Sequence, residues 1–396
     1  MGSTKLKYFI YILSILSLFT ALKIQKIIDL GNLEDSSVNA GFERAHFNMG
    51  KQFHTKGFGI NCGLPDYSET LPNFSSGGVY THYPPGPDWV MGAMMSVCGT
   101  NSMSCVRAGP MGLGLFALGL FAYSLPFLLP ILGSFLLATI VVVLPMTWVH
   151  IHGLAYWGYP HALLLLQMAL IVLSMGRGRV RAPVWIGYAL CGFAQGWFSF
   201  DYAFVACLLP IPFALLDYGR LPRNGWLGLV LCGGGFFTLA HILHFAQNIC
   251  HFGSLEAAIL DFKNISDKRS TGLNDTIEWI KVENLTPLNV LRAQLDTYIV
   301  RPENFGFAAQ IIIYLVALLA LFKAKWSVAM RHKVWRVEFS RAGGYAVLVA
   351  LVLASLWSIT IRQHAYFHTM TCRHFIVPFV LALIVVIRAQ RLETRR

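Results

Sequence analysis

About ten apolar stretches, each close to the length of one membrane crossing, run through this chain and constrain its fold more than any other feature. A span needs roughly 20 mostly apolar residues, because only helices and closed barrels satisfy their backbone hydrogen bonds inside a bilayer. The stretches are 8–24, 110–124, 126–145, 160–175, 183–200, 202–216, 226–245, 307–322, 345–361 and 375–387. Only 13% of the residues are charged, against about a quarter in soluble domains. The sequence therefore predicts an all-α integral membrane protein that forms one domain over residues 1–396.

The basic residues indicate how these spans are oriented. Of the 31 Lys and Arg residues, 17 lie in five short segments that would share one side of the membrane. Those segments are 1–7, 176–182, 218–224, 323–341 and 388–396. Because cytoplasmic connections carry such an excess, we expect both termini in the cytoplasm, and the net charge of +12 does not indicate a nucleic-acid partner. Two large extracytoplasmic loops with short helices, 25–108 and 247–306, follow from this orientation.

The histidines are distributed very unevenly between the two predicted sides. Only His332, of the 13 histidines, falls on the cytoplasmic side. The first outer loop holds His46, His54 and His82, and the outer ends of the spans hold His150, His152, His161, His241, His244, His251, His364, His368 and His374. Polar groups at helix ends inside a bundle usually mark a site, since burying them without partners is costly in lipid. We therefore predict a functional site at the outer boundary; the alternative is that helix ends simply tolerate polar residues.

One segment of the first loop has the spacing of a short helix with candidate chemistry. A helix over residues 41–58 would place Glu43, His46 and Gly50 along one stripe. Gly57 would end this helix as a C-cap, because glycine adopts the left-handed conformation that such an end requires.

Three further segments outside the spans have a recognisable character. Residues 81–89 contain three prolines, which predict a rigid loop and exclude a helix start before Asp88. Residues 89–97 are apolar enough to dip into the membrane surface. Residues 287–300 have apolar side chains at helical spacing and predict either a helix lying in the interface or an ordinary packed loop helix.

These motifs together resemble the membrane glycosyltransferases of the GT-C fold. The most similar group is the dolichyl-phosphate-mannose protein mannosyltransferase-like family, family 39, which includes the aminoarabinose transferases. The parts that carry the resemblance are Phe42-Glu43, Lys56-Gly57-Phe58, His82-Tyr83-Pro84-Pro85, Cys105-Val106-Arg107 and Cys372-Arg373-His374-Phe375-Ile376-Val377-Pro378. In one departure, Phe42 stands where the family has the first acid of an acidic pair.

The resemblance implies a hexosyl- or pentosyltransferase with a polyprenyl-phosphate sugar as donor and a lipid, glycan or protein as acceptor. A carboxylate must take the proton of the acceptor hydroxyl, and Glu43 is the first candidate, with Asp88 and Asp201 in reserve. Candidate substrate-binding residues are Arg44, His46, His82, Tyr83, His161, Arg362, Arg373 and His374. The arginines offer a fixed fork of donors that suits phosphate oxygens.

Structural explanations compete with these roles. Glu43 would then be a loop acid paired with Arg44 or Lys51, Asp201 a simple helix cap, and an arginine such as Arg373 a snorkelling side chain at a helix end. At the level of the whole chain, the alternative function is a multi-pass transporter or lipid flippase with a polar outer site. The near absence of charges inside the spans disfavours transport.

Cofactor, cysteine chemistry and location complete the expectations. No cofactor is certain, but His364 and His368 share a helix face at i,i+4 and, with an acid, would suit Zn, Mn or Mg. A disulfide such as Cys98–Cys105 is allowed on the outer side, although the sequence does not determine the pairing. We expect a bacterial inner membrane in preference to the endoplasmic reticulum.

Overall fold

The computed structural model describes residues 8–21, 38–66, 79, 81, 83–100, 103–143, 158–217, 221–271, 285–299, 335–367 and 373–393. Within these ranges the chain is all-helical, and its only strand-like pairing is an isolated bridge between Asp66 and Val79. The predicted all-α class is therefore confirmed. The predicted span 307–322 lies outside the described residues.

The helices follow one another with short connections. The first part of the chain forms α1 (Tyr8–Ala21), α2 (Val38–Lys56), α3 (Gly86–Cys98), α4 (Met103–Val106), α5 (Ala108–Ser124) and α6 (Ile131–Val143). The middle forms α7 (Gly158–Arg177), α8 (Ala182–Phe198), α9 (Ala203–Leu208), α10 (Pro210–Leu216) and α11 (Arg223–Phe252). The last part forms α12 (Leu255–Thr271), α13 (Pro287–Ile299), α14 (Trp335–Thr360), α15 (Arg362–Phe367) and α16 (Ile376–Glu393). Two 3-10 turns, Ile60–Gly63 and Leu125–Phe127, complete the described elements.

Four of the described helices are long and apolar enough to cross a membrane, judged by length and composition. They are Ala108–Phe127, Gly158–Arg177, Arg223–Phe252 and Ala342–Thr360. Shorter apolar helices cover Tyr8–Ala21, Ile131–Val142 and Ala203–Leu216. These helices support a membrane protein, whereas the total of about ten spans and the GT-C fold stay predictions.

Helix α7 lies at the centre of the bundle. It packs against α5 on one side and α8 on the other, and 94% of its apolar window is buried inside the protein. A helix that is apolar all round is expected to be buried in this way. Large side chains of the same core include Phe121, Tyr188 and Phe379. By contrast, only 22% of the corresponding window of α11 is buried, so α11 is a peripheral helix.

The ends of several helices meet in a group that we call the basic end. Arg388 of α16 donates hydrogen bonds to the carbonyl oxygens of Leu128 and Leu216, at 3.5 and 3.4 Å. Next to Leu128 in the chain is Phe127, and the guanidinium of Arg177 lies 5.5 Å from the ring centroid of Phe127. Arg388 therefore bonds carbonyl oxygens at helix ends, which have no partner in a following turn.

The opposite ends form a second group, the histidine end. There the start of α7 meets the end of α8, because Gln195 donates to the carbonyl of Pro160 at 2.7 Å and the rings of Tyr159 and Phe198 stack. The ends of α11 and α14 and the start of α16 lie in this group too. Two opposed sets of helix ends fit the alternation of up and down helices on which the predicted orientation depends.

The predicted helix in the first loop forms as α2. Gly57 follows it with a φ of +90°, and its N–H donates to the carbonyl of Phe53 at 3.0 Å, so the predicted glycine C-cap is confirmed. Two members of the predicted stripe, His46 and Gly50, face α3. A Cβ atom on Gly50 would lie 2.6 Å from the Cβ of Met91, and one on Gly92 would lie 2.9 Å from the Gly50 carbonyl oxygen. The close crossing of α2 and α3 therefore requires glycine at both positions.

One sequence inference about the proline-rich segment is wrong. Helix α3 begins at Gly86, with Pro87 in its first turn, whereas the prolines were expected to exclude a start before Asp88. The first turn of a helix does not use its N–H groups for intrahelical bonds, so the missing N–H of proline costs nothing there.

Two disulfides connect segments around the histidine end. Cys98–Cys105 links the end of α3 to α4, the pairing that the sequence allows. Cys62–Cys250 links the Ile60–Gly63 turn to the last turn of α11 across 188 residues, a pairing that sequence spacing does not indicate. Among the described residues, Cys191, Cys207 and Cys232 are not in disulfides, as expected for cysteines within spans.

The segment 287–300 forms helix α13 and packs on α14 and α15. Val290 is buried together with Trp357 and Ala365. Gln294 accepts a hydrogen bond from the Ser358 hydroxyl and donates to the carbonyl of Ala365. These contacts favour the packed loop helix of the two alternatives.

Candidate functional site

Asp201 lies in the tight turn between α8 and α9. Helix α8 ends at Phe198, the backbone of Ser199 is extended, and the N–H of Asp201 donates to the Ser199 hydroxyl at 3.1 Å. Tyr202 is the N-cap residue of α9, and no side chain caps that helix. The proposed alternative of a simple helix cap is therefore wrong, and the Asp201 carboxylate has other partners.

Four side chains from distant parts of the chain, three of them buried and His364 11% exposed, form what we call the Asp201 cluster: Tyr83, Asp201, His364 and Arg373. Arg373 donates from Nη2 to Asp201 Oδ2 at 3.0 Å. The other carboxylate oxygen lies 3.5 Å from His364 Nε2 and accepts from the Tyr83 hydroxyl at 3.4 Å. Tyr83 Oη and His364 Nε2 are 2.8 Å apart. The loop before α3, the α8–α9 turn, α15 and the entry to α16 are thus held together.

The charges of this cluster compensate each other. Burial alone would raise the pKa of Asp201, but the hydrogen bond with His364 and the charge of Arg373 outweigh it and hold that pKa well below its usual range. Burial lowers the pKa of His364, more than its bond to Asp201 raises it. A neutral His364 with its proton on Nε2 can donate to Tyr83, which then donates to Asp201. The cluster therefore holds one carboxylate, one guanidinium and no excess charge.

Two of the predicted phosphate-binding residues are enclosed by protein beside this cluster. The Arg373 side chain is 2% exposed, and its guanidinium lies 4.9 Å from the ring centroid of Tyr202. The ring of His374 meets the same tyrosine edge-on, at 4.8 Å between centroids. Burial, with the charge of Arg373 beside it, lowers the pKa of His374 to about 3, so this ring is neutral near pH 7.

A cavity of about 480 Å³ lies between α11 and α12, next to the Asp201 cluster. We call it the α11–α12 cavity. Apolar side chains such as Phe245, Phe262 and Ile265 supply much of its wall, and Arg269 is the only charged residue among its described lining. The guanidinium of Arg269 lies 4.2 Å from the ring centroid of Tyr83 and 5.8 Å from that of Phe200. Among the described lining residues, Arg269 is therefore a single charged side chain in a mostly apolar cavity.

Some buried polar atoms in the wall of this cavity have no hydrogen-bond partner within the described part of the chain. Both ring nitrogens of His241 and the Nε1 of Trp357 are such atoms. His241 stacks on Phe200 at 4.2 Å between centroids, which fixes its ring without satisfying its nitrogens. Leaving a buried polar group unsatisfied costs about 1–3 kcal/mol. Such atoms beside a cavity suit a ligand that supplies the missing bonds.

A second pair of polar side chains in the wall is positioned by the backbone. The carbonyl oxygen of Thr81 lies 3.1 Å from His244 Nε2 and 3.3 Å from Asn248 Nδ2. The amide oxygen of Asn248 has no partner among the described residues. The first outer loop and α11 therefore build this part of the cavity together.

Asp88 belongs to a separate buried pair. Its Oδ1 lies 2.7 Å from His46 Nδ1, and both side chains are 2% exposed. Burial raises the pKa of Asp88, although His46 opposes this shift. The pair joins α2 to α3, and α3 in turn packs on α8 through Trp89 and Trp197, whose ring centroids are 5.4 Å apart.

The remaining predicted residues are not brought into the Asp201 cluster by the described structure. Glu43 and Arg44 belong to α2, but their side chains lie outside the described set, as do His82 and His368 entirely. His161 is fully buried in the first turn of α7. Arg362 donates to the carbonyl of Leu285 at 3.1 Å and so anchors the segment before α13.

The predicted metal ligands are His364 and His368. In the described ranges, no three His, Cys, Asp or Glu side chains converge as metal ligands would. His364 is held by Tyr83 and Asp201, and its predicted partner His368 lies outside the described residues. The metal site therefore stays a prediction.

Sequence reasoning missed the cation of the cavity. Arg269 lies near the end of α12, inside a segment interpreted only as part of an outer loop. The signal that would have found it is the amphipathic spacing of residues 255–271, which ends in basic residues. Trp357, on α14, was missed because an indole within an apolar stretch looks like core packing.

No family model, no curated protein and no solved structure matches this chain.

Proposed function

We propose that this chain is a membrane glycosyltransferase that takes a sugar from a polyprenyl-phosphate donor, and that the α11–α12 cavity holds the donor's phosphate and the adjoining part of its lipid. The observation that carries the proposal is that one cavity, of about 480 Å³, combines apolar walls, one arginine and buried polar atoms without a partner among the described residues. A polyprenyl-phosphate sugar combines an apolar chain, an anion and hydroxyl groups. Specific small-molecule sites have this composition, with a few polar groups in a mostly apolar concavity.

Arg269 is the proposed phosphate-binding residue. Its guanidinium lines the cavity and is oriented by the Tyr83 ring beneath it, at 4.2 Å. Arg373, the first choice from the sequence, is instead committed to Asp201 and is buried. The planar fork of a guanidinium stacked on an aromatic ring has the geometry that suits phosphate oxygens.

The three candidate carboxylates differ in their suitability as a general base. Asp201 is poorly suited, because its pKa is held low and Arg373 already binds it. Asp88 keeps more proton affinity, because burial raises its pKa. Glu43 is one turn before His46 on α2, the helix that carries the Asp88 partner. We therefore propose that Glu43 is the base, with Asp88 as the alternative. Asp201 instead positions Arg373 and Tyr83 beside the cavity.

The proposed reaction is a direct displacement at the anomeric carbon. The base takes the proton of the acceptor hydroxyl as its oxygen bonds to that carbon. The bond from the carbon to the phosphate oxygen breaks, and polyprenyl phosphate leaves with the electron pair. Arg269 stabilises the charge that develops on the leaving phosphate. The sugar would emerge with inverted configuration.

The proposal includes the predicted arrangement in the membrane. About ten spans, with both termini and the basic end in the cytoplasm, would put the histidine end on the extracytoplasmic side. The two disulfides near that end support this orientation, because disulfides persist in oxidising compartments.

The test is a transfer assay on the purified full chain in nanodiscs. Radiolabelled polyprenyl-phosphate hexoses and pentoses are supplied, and release of polyprenyl phosphate is measured for wild type, Glu43→Gln, Asp88→Asn, Arg269→Gln and the control Lys263→Gln. We expect release by wild type and Lys263→Gln, and loss with Arg269→Gln and with the base variant. Release that is unaffected by either carboxylate variant would reject the assigned bases. No release with any donor, together with movement of the labelled lipid across vesicle membranes, would favour the transporter or flippase.

A further inference from the structure

The first half of α12 exposes large apolar side chains along one side. Leu255, Ile259 and Phe262 are 55%, 52% and 55% exposed. Their spacing of four and three residues places them on one stripe of the helix. Glu256 and Lys263, which are also exposed, occupy the neighbouring surface. Leu260, which is 58% exposed, lies beside them, so the apolar stripe adjoins a surface that is partly charged and partly apolar.

The depth of α12 follows from the length of α11. With 30 residues, α11 is about 45 Å long, whereas the hydrocarbon of a bilayer is about 30 Å thick. The part of α11 after Phe245 carries Gln247, Asn248 and His251 and so extends into the headgroup region. After Gly253, α12 folds back along this part, and Phe262 meets Phe245 edge-on at 6.4 Å. Helix α12 thus lies level with the headgroups.

The apolar surface of α12 continues that of α11. Leu239, Ile242 and Leu243 of α11 are 42%, 59% and 42% exposed, on a helix apolar enough to span the membrane. Phe252, at the corner between the two helices, is 37% exposed. The exposed apolar side chains of α11 are therefore followed, past Phe252 at the corner, by the stripe of α12.

We propose that α12 is a membrane-binding interfacial helix, whose stripe of Leu255, Ile259 and Phe262 inserts at the boundary between headgroups and acyl chains. Interfacial helices bind bilayers with an apolar face at this depth and cationic residues at its edge. Lys263 occupies that edge position. The occupant of this surface is lipid rather than a protein partner, because the surface is continuous with a spanning helix.

The same geometry sets where the α11–α12 cavity opens. Ile242 and Phe262 line the cavity and are also exposed on the apolar surface. The mouth of the cavity therefore lies on the lipid-facing side, and a lipid enters it sideways from the bilayer. This inference concerns the membrane surface of the protein and does not depend on glycosyl transfer.

Depth measurements with nitroxide labels test the proposal. Single cysteines at 255, 259 and 262 carry the label in nanodiscs, with Leu239→Cys as the hydrocarbon reference and Glu256→Cys and Lys263→Cys as matched positions on the polar surface. Accessibility to oxygen and to a water-soluble nickel chelate is measured at each. We expect oxygen to be favoured several-fold at 259 and 262, as at 239, and nickel to be favoured at 256 and 263.

Two outcomes would overturn the proposal. Nickel accessibility at 259 and 262 equal to that at 263 would place the stripe in water. Low accessibility to both reagents would show that protein, such as a second copy of this chain, covers it. If the cysteine variants do not fold, the unmodified chain is irradiated in nanodiscs of photoactivatable phospholipid. Labelling of residues 255–262 as strong as that of 239–243 supports insertion, and its absence overturns it.

Discussion

The Asp201 cluster and the α11–α12 cavity are neighbours that differ in how far their buried polar groups are hydrogen-bonded. In the cluster, Asp201, Arg373, His364 and Tyr83 contact one another at distances of 2.8 to 3.5 Å, and of their buried polar atoms the Nε of Arg373 has no hydrogen-bond partner among the described residues. In the cavity wall, both ring nitrogens of His241 are buried and neither is bonded to a described residue. Fully satisfied buried networks rigidify a structure, whereas unsatisfied groups require an explanation. We infer from this difference that the first region holds the protein together, and it supports the proposal that the second binds a ligand.

Substitutions in the two regions test whether they differ in this way. Substitutions in the cluster should change stability before they change binding, and substitutions in the cavity should change binding with little loss of stability. The expected effects below run from the largest to the smallest.

Removal of the cation from the cluster should give the largest effect. Arg373→Met leaves the Asp201 charge buried without its main partner, and breaking a buried pair in this way typically costs about 3–5 kcal/mol. The free energy of unfolding, measured with denaturant in detergent or nanodiscs, is expected to fall by that amount. The double variant Arg373→Met, Asp201→Asn should recover much of it, because no unpaired charge remains. A loss below about 1 kcal/mol in the single variant would contradict the role given to the cluster.

Removal of the cation from the cavity should act on binding instead. Arg269→Gln is expected to weaken binding of polyprenyl phosphate about 10- to 100-fold, because a hydrogen bond to a charged group contributes about 1.5–3 kcal/mol. Stability should fall by no more than about 1 kcal/mol, the value of a cation–π contact with Tyr83. Binding is measured by competition with a labelled polyprenyl phosphate. Lys263→Gln, which removes a cation from an exposed position on the same helix, is the matched control and should bind normally. If both variants lost binding equally, the effect would come from the net charge of the protein, and Arg269 would not be a specific phosphate-binding residue.

Acid should weaken the enclosed region that surrounds the cluster. The pKa of His374 is lowered to about 3 in the folded protein, against about 6.5 in an unfolded chain, so the unfolded state binds the extra proton between these values. Stability from this residue is therefore complete above pH 6.5 and declines as the pH falls, by about 2 kcal/mol at pH 5. The Asp201 pKa is held low, so its carboxylate stays ionised across this window. The difference in unfolding free energy between wild type and His374→Gln, followed from pH 7 to pH 5, measures the effect. A difference that does not change with pH would contradict the enclosure of His374.

Removal of the unpartnered nitrogens should have the smallest effect on stability and the opposite sign. His241→Phe keeps the stacking on Phe200 and removes two buried polar atoms, so stability is expected to stay the same or to rise by about 1 kcal/mol. Binding of the labelled lipid phosphate should weaken several-fold. Thermal unfolding and lipid binding are measured on the same preparation. Loss of stability with unchanged binding would place His241 with the structural residues and remove the contrast between the two regions.

The helices could be predicted from hydropathy, and their ends could not. Each predicted apolar stretch that falls on described residues contains a helix, but α11 runs to Phe252, well past the predicted end at 245. Helix α11 continues through the polar residues Gln247 and Asn248. In the proposed arrangement this part of the helix lies beyond the hydrocarbon, where polar side chains are hydrated. The predicted span 202–216 is divided at Leu209, because Pro210 begins a new helix.

The members of the site could be predicted singly, but not their partners. The residues Asp201, Tyr83 and Arg373 were identified from turn position and motif. Their contacts join Asp201 to Arg373 across 172 residues and Tyr83 to Asp201 across 118 residues. Such contacts follow from how the helix ends pack, which no local pattern encodes. The same limit explains why Arg269 was missed: its importance comes from the fold of α12 back onto Tyr83.

The most direct test of the central claim is to find where a lipid phosphate binds. A polyprenyl phosphate with a photoactivatable group near the phosphate is irradiated with the full chain in nanodiscs, and the labelled residues are mapped by mass spectrometry. We predict labelling of residues 238–269, lost with excess unlabelled polyprenyl phosphate and with Arg269→Gln but retained with Lys263→Gln. Labelling that spreads evenly over exposed spanning surfaces, such as those of Leu190 and Leu231, and that no competitor reduces would contradict the account.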